Sequence, residues 1–544
     1  MPLNTKRHFF LFFIACFFVL LGLAGCASIQ APTGGPKDSI PPKILKETPK
    51  NFTTQFKANE INVEFDEYFK LNNSFKEISL SPATEKLPEY KVRKKILNIR
   101  FQDTLAPNTT YTINFGNAIA DYNESNILKN YVYVLSTGNK IDSLSISGKV
   151  INAVTKKPEL DATAFIIPLS QDTVFGKKRA PIFTSTDSAG NFSLKYLRGD
   201  TYRIYAIKEE GGGDKIYNST NELIAFLKDS IVLGKDTSGL KLELFKEEPD
   251  VFKLKDRKIE NTGRISFIFN KELIEPSLRI LHPSELDSKK IVEFSRTNDT
   301  AYIWTENMNF DSISVAISDK NVSIDTTNIR RNKRDNYKQE ITISDNIPSS
   351  AIKPGTRLQL TFTAPVSSIN PGQINLLQDS VPVKNFTVVK DSSSTRKFYI
   401  SYTWRKKRQY ILDIPENTVN GTYGGKNKAY NKQFTLDEIE NYGNLSVLFT
   451  VPDTGRKYII QLLDAQENII KSNTITTSAK LDYIMYPVGK YRFRVIYDDN
   501  KNDKWDTGKV SLRRQPEIIW NNPNEITLRA NWDLEEKITI PPPL

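Results

Sequence analysis

Short runs in which apolar and polar residues alternate place the tightest limit on this chain. Ile61-Asn62-Val63-Glu64-Phe65, Tyr111-Thr112-Ile113-Asn114-Phe115, Ile313-Ser314-Val315-Ala316-Ile317 and Leu358-Gln359-Leu360-Thr361-Phe362 each set bulky apolar residues two apart. That spacing is the repeat of a pleated strand with one face buried and one wet. Turn-formers stand between the runs, as at Asp187-Ser188-Ala189-Gly190-Asn191, Asn420-Gly421 and Gly424-Gly425. No stretch keeps a 3.6-residue apolar period long enough for a long helix. With 39% hydrophobic and 11% aromatic residues, the 544-residue chain can fill several cores, about three to five at usual domain sizes. The expected fold class is all-β: tandem sandwiches on short linkers, in an elongated array.

The runs fall into groups. From Ile44 to Thr137, strand-like stretches at Ile61–Phe65, Ile78–Leu80, Ile96–Ile99, Tyr111–Phe115 and Tyr131–Leu135 close on Ser136-Thr137-Gly138. Phe65-Asp66-Glu67, the stretch from Leu105 to Thr112, and Ser136-Thr137-Gly138 resemble the bacterial Ig-like domain of the SbsA type. That resemblance implies a structural and spacer module without catalysis. Ile146–Val150, the Asp187–Phe192 turn and Tyr196–Ile207 resemble the prealbumin-like sandwich called the carboxypeptidase regulatory-like domain. Despite the name, the resemblance implies no peptidase site. Residues 250–345 read as a degenerate Ig-like sandwich ending in the basic run Arg330–Arg334. The Ig-like pattern returns from Ile347, where Leu358–Phe362 echoes Ile61–Phe65 and Arg408–Ile414 echoes Thr110–Phe115. Arg405-Lys406-Lys407-Arg408, entering that second strand, reads as protection of a sheet edge. Tyr486–Tyr497 repeats the Gly199–Ile207 pattern. The expected division is 1–25, 26–43, 44–140, 141–249, 250–345, 346–442 and 443–544.

At the start, Lys6, Arg7 and His8 precede an apolar stretch from Phe9 to Leu23. Its length suits a signal-peptide core and is short for a membrane span. Leu23-Ala24-Gly25-Cys26 resembles the lipobox of bacterial lipoproteins. The resemblance implies cleavage before Cys26, a diacylglycerol on its thiol and an N-acyl chain on the new terminus. More than one acyl chain is what stable anchoring requires. A plain secretory signal with an incidental cysteine is the competing reading. Residues 27–42, with four prolines and two glycines, read as a tether. Surface-displayed lipoproteins of the Bacteroidota often carry acidic residues just after the cysteine. Here the first is Asp38, which favours an outer-membrane anchor with the body facing the periplasm.

One stretch carries the spacing of a metal loop. Counting Asp498 as position 1, oxygen side chains fall at Asn500, Asn502 and Asp506, positions 3, 5 and 9. Lys504 at position 7 would offer its backbone carbonyl. Calcium takes six to eight oxygens, and alternate residues of a tight loop point inward. Position 6 is Asp503 rather than Gly, and position 12 is Lys509 rather than Glu. The bidentate carboxylate would then come from elsewhere, with Glu517 the candidate. The competing reading is an Asp/Asn-rich hairpin that satisfies its own backbone. Trp505, Trp520 and Trp532 nearby read as core or rim residues, or as an aromatic patch for protein or sugar.

Composition narrows the rest. Cys16 and Cys26 are the two cysteines, so the body after Cys26 has no disulfide and no Cys metal site. His282 is its one histidine, which argues against zinc and histidine-based catalysis. Loss of residues 1–25 removes Lys6 and Arg7 but no acid, so net charge falls from +12 to +10. The expectation is a non-enzymatic outer-membrane lipoprotein that binds or scaffolds in the cell envelope. It would act as an accessory subunit of a protein assembly or secretion machine, or else in surface glycan binding. No nucleic-acid partner is expected.

Overall fold

The computed structural model describes residues 38–543 except 130, 211, 212, 333, 335, 336, 338 and 339. Among these the regular structure is almost wholly strand, and the α-helix Ser74–Glu77 is a single turn. The chain is an all-β set of tandem sandwiches. It divides into two compact units. One holds the described residues up to Leu144 together with Lys195–Arg198; the other holds Ser145–Leu194 and Gly199 onward.

In the first unit, Ile44–Thr48, Glu60–Phe65, Ile96–Arg100 and Glu89–Arg93 form a four-stranded sheet in that order. Ser79–Ser81, Thr110–Asn114 and Val132–Ser136 form a three-stranded one. The alternation predicted for Ile61, Val63 and Phe65 is what the fold uses: all three are fully buried. They share a core with Leu97, Ile113, Phe115 and Tyr133. Burying a side chain of this size stabilises by about 1.5–3 kcal/mol each. The Tyr111 hydroxyl accepts from the Ala106 N–H at 2.8 Å. This tie from a strand back to the preceding turn fixes the corner where the chain enters Thr110–Asn114.

The second unit opens with Ile182–Ser185, Thr163–Pro168, Thr201–Lys208, Leu223–Phe226 and Thr237–Lys246 in one sheet. Thr237–Lys246 also pairs in parallel with Leu144–Asn152. The Asp187 turn forms as its residues dictate. Asp187 Oδ1 accepts from the Ala189 and Asn191 N–H groups, and Gly190 takes φ +77°. Next, Leu254–Ile259, Ile265–Phe269, Thr300–Trp304 and Ile291–Phe294 pack over Pro276–His282, Ser312–Asp319 and Val322–Arg330. Arg330 therefore ends a strand, and Lys333 lies outside the described residues.

In the following sandwich, Ala351–Ile352, Tyr430–Leu436, Gln409–Ile414, Asn375–Gln378 and Val381–Pro382 form one sheet in that order. This corrects the edge-protection reading of Arg405–Arg408, because Gln409–Ile414 is an inner strand paired on both sides. The last sandwich sets Ala479–Pro487, Tyr442–Thr450 and Asp533–Thr539 against Ile469–Ile475, Lys457–Leu463, Gly489–Asp498 and Ile519–Asn521. Leu445, Val447 and Phe449 meet Tyr458, Ile460, Phe493 and Val495 in its core. Although short linkers suggest sandwiches strung out in series, the first and last sandwiches of this second unit pack directly on each other. Val510 of the last lies in the same core as Phe165, Tyr205 and Phe245 of the first.

Candidate functional site

Asp498 ends the strand Gly489–Asp498 and is fully buried. Its two carboxylate oxygens accept from the Asn502 and Asp503 N–H groups at 3.0 and 2.9 Å. Asn500 and Asn502 both turn their amide nitrogens toward Asp506 Oδ2, Asn502 at 3.0 Å. Glu517 spans the loop from the far side. Oε1 accepts from the Asp499 N–H and Oε2 from the Asp506 N–H, both at 2.9 Å. Burial pushes the Glu517 carboxyl above the usual range; Asp506 and Asp498 push the same way, and the two N–H bonds oppose. Asp503 takes φ +65°. It occupies the left-handed conformation that glycine supplies at the sixth position of a calcium loop, and Asp is among the residues that tolerate it.

The spacing thus brings Asp498, Asn500, Asn502, Asp506 and Glu517 into one loop. The Lys504 side chain leaves it, with Nζ 2.7 Å from Glu272. Among the described residues, no three His, Cys, Asp or Glu side chains converge as a metal-holding set. The groups gathered on Asp506 are amides. Their oxygens face the other way, Asn500 Oδ1 accepting from the Asn502 N–H at 3.1 Å and Asn502 Oδ1 from the Lys504 N–H at 2.8 Å. In this conformation the loop's oxygens are taken by its own backbone, and a calcium ion would have to displace those donors. Cys26 lies outside the described residues.

Sequence reasoning missed what the loop does next. Residues 505–515 seat on the sandwich that begins at Ser145. The Trp505 Nε1–H donates to the Glu517 carbonyl at 3.0 Å, and its ring packs beside Val154, Ile496 and Ile519. Thr507 Oγ1 donates to the Lys246 carbonyl at 2.5 Å. The Val510 N–H donates to Glu247 Oε1 at 2.6 Å, while Glu247 Oε2 accepts from the Tyr217 hydroxyl at 2.5 Å. The Arg513 guanidinium lies 4.8 Å over the Phe226 ring and donates to the Lys228 carbonyl and the Tyr205 hydroxyl at 3.0 and 3.1 Å. Gln515 Nε2 donates to the Phe226 carbonyl at 2.8 Å. A charged guanidinium satisfied by carbonyls on an aromatic face is a strong anchor. The three tryptophans form no common patch: Trp505 is in this seam, Trp520 packs on the last core, and Trp532 is 46% exposed beneath Arg529.

Comparison with known proteins bears on the first unit. Residues 38–137 match the family Bacterial Ig-like domain (Big_5). No curated protein matches the chain. Among solved structures, the Bacillus anthracis TIE protein is 10% identical, covering 93% of this chain and 75% of its own, with TM-score 0.14. The Bacteroides ovatus mixed-linkage glucan utilization locus SGBP-B, in complex with a mixed-linkage heptasaccharide, is 9% identical. It covers 62% of this chain and 86% of its own, with TM-score 0.19. A DUF3823 family protein from Bacteroides uniformis is 12% identical, covering 50% of this chain and all of its own, with TM-score 0.12. Likeness at those scores carries no functional weight.

Proposed function

We propose that this chain is a non-enzymatic binding or scaffold component of a bacterial cell envelope. It is held in the outer membrane through diacylglycerol and an N-acyl chain on Cys26, with its body on the periplasmic face. In the finer form of this reading, the sandwiches at 44–140 and 346–442 are SbsA-type Ig-like domains. Those at 141–249 and 443–544 are prealbumin-like, and the chain serves an outer-membrane protein assembly or secretion machine. The observation that carries the reading is the match of residues 38–137 to the bacterial Ig-like domain family, with a Pro/Gly-rich stretch at the start of the match and just before it.

The test is membrane fractionation with affinity recovery from detergent-solubilised envelope. Wild type is expected in the outer-membrane fraction with a stoichiometric protein partner. Cys26→Ser is expected in the soluble fraction. Unchanged fractionation of that variant, or wild type recovered alone, counts against the reading. We also propose that calcium is taken by Asp498, Asn500, Asn502, Asp506 and Glu517, with the Lys504 carbonyl, and locks the loop. At one hundred times its dissociation constant, calcium adds roughly 2.7 kcal/mol. A melting temperature no higher in calcium than in chelator rejects the site.

A further inference from the structure

The sandwich whose core runs from Ile341 to Phe434 carries an open cleft of about 290 Å³, walled in part by Pro354, Arg357, Tyr402, Trp404 and Leu436. Tyr402 and Trp404 are half-buried and meet edge to face with ring centroids 5.1 Å apart. Trp404 is backed by Tyr410 at 5.0 Å and Phe434 at 5.2 Å. That backing holds an aromatic wall in place. On the rim, the exposed Arg357 guanidinium sits 5.9 Å over the Tyr399 ring.

Leaving Trp404, the chain turns at once through Arg405-Lys406-Lys407-Arg408, all exposed. The turn is pinned by Tyr410, whose hydroxyl accepts from the Arg405 N–H at 2.7 Å. Tyr111 makes the same five-residue tie to Ala106, so the two corners can be compared position by position. The first reads Ala106-Pro107-Asn108-Thr109, with no charge. Asn108 there has φ +49°, and Lys407 here has φ +56°. Asn tolerates that left-handed conformation better than Lys does. The corner therefore needs no cations, and one of its four is strained. Nor do they guard an edge, because the strand they enter is paired on both sides.

Arg408 pairs with Asp379 at 2.9 Å, and Lys406 lies 3.7 Å from Glu440. Asp437, next to Leu436, is turned to Tyr442 and Asn441. Among the described residues, Arg357, Arg405 and Lys407 have no acidic partner. We propose that this cleft and its basic corner bind an acidic saccharide. The apolar face of one sugar ring lies on one ring of the Tyr402–Trp404 pair and abuts the other edge-on, and its carboxylate meets Arg357 on the rim. The carboxylates of neighbouring units reach Arg405 and Lys407 in the turn beside the cleft. Guanidinium suits carboxylate by its planar fork, and the aromatic wall gives a sugar ring what a bare charge cluster cannot. The proposal goes beyond the envelope reading and does not depend on Cys26.

The test titrates the chain lacking residues 1–25 by calorimetry. The probes are an oligogalacturonate, a neutral cello-oligosaccharide of equal length, and phosphatidylglycerol vesicles. Oligogalacturonate is expected to bind with an affinity that falls as salt rises. The neutral sugar should bind at least about tenfold more weakly, and vesicles should not displace the acidic one. Arg357→Ala combined with Lys407→Asn should weaken oligogalacturonate by about tenfold or more. Lys407→Asn restores the residue of the first corner, so its melting temperature should hold or rise while binding falls. Equal binding of the neutral sugar, undiminished binding by the double variant, displacement by vesicles, or no binding at all overturns the proposal. The double variant with Cys26 intact should still recover the same envelope partner, so this proposal and the envelope reading fail separately.

Discussion

At the scale of the residue, Gly508 shows most directly how the second unit is closed. A Cβ there would press into Phe245 Cζ and stand 2.9 Å from the Arg514 carbonyl oxygen. Neither a buried ring nor a backbone carbonyl can step aside cheaply, so Gly508→Ala should cost about 1–3 kcal/mol as an overpacked contact. A lower melting temperature and faster proteolysis between Trp505 and Gln515 are the expected readouts; wild-type values for both would mean that the seam is loose. The sequence announced the neighbouring oxygen side chains, because alternate Asp and Asn residues carry a local pattern. It did not announce Arg513 or Val510. Their partners lie more than 250 residues away, at Tyr205, Phe226, Phe245 and Glu247, and docking at such separation leaves no mark on local periodicity. The sixth position of the loop could have been read, since Asp takes a left-handed backbone where glycine is usual.

At the scale of the element, strands were legible wherever one face is buried. Ile61–Phe65, Ile313–Ile317 and Leu358–Phe362 all fall within strands. Strand order was not, and the misreading of Arg405–Arg408 shows why: charge before a strand looks the same whether its neighbours are one or two. Junctions between sandwiches were equally silent. Arg396, on Lys397's doorstep, forks onto Glu293 of the preceding sandwich with bonds of 2.7 and 2.6 Å. Its third nitrogen donates to the Phe362 carbonyl at 2.9 Å. Arg396→Lys keeps the charge and loses the fork, and should cost about 2 kcal/mol. The denaturant midpoint should shift accordingly, and an unshifted midpoint would show that these two sandwiches do not lean on the pair.

At the scale of the whole molecule, tyrosines bury their rings throughout the two units and set an alkaline limit. Burial pushes Tyr491 and Tyr497 up to about 12 from an ordinary 10.0, and raises Tyr131, Tyr217, Tyr430 and Tyr483 as well. Because the folded values lie above the unfolded one, the stability these groups contribute is complete below pH 10. It drains away as pH climbs from about 10 through 12. Tyrosinate absorbance should therefore appear together with loss of tertiary signal; ionisation of these residues in a chain that stays folded would contradict the burial. The shared core of Phe245 and Val510 has a consequence for biogenesis. A ribosome adding about 5–20 residues per second finishes the sandwich begun at Ser145 long before Val510 exists. Wherever the chain folds, the aromatic mouth of that sandwich stays open until the last sandwich supplies its plug.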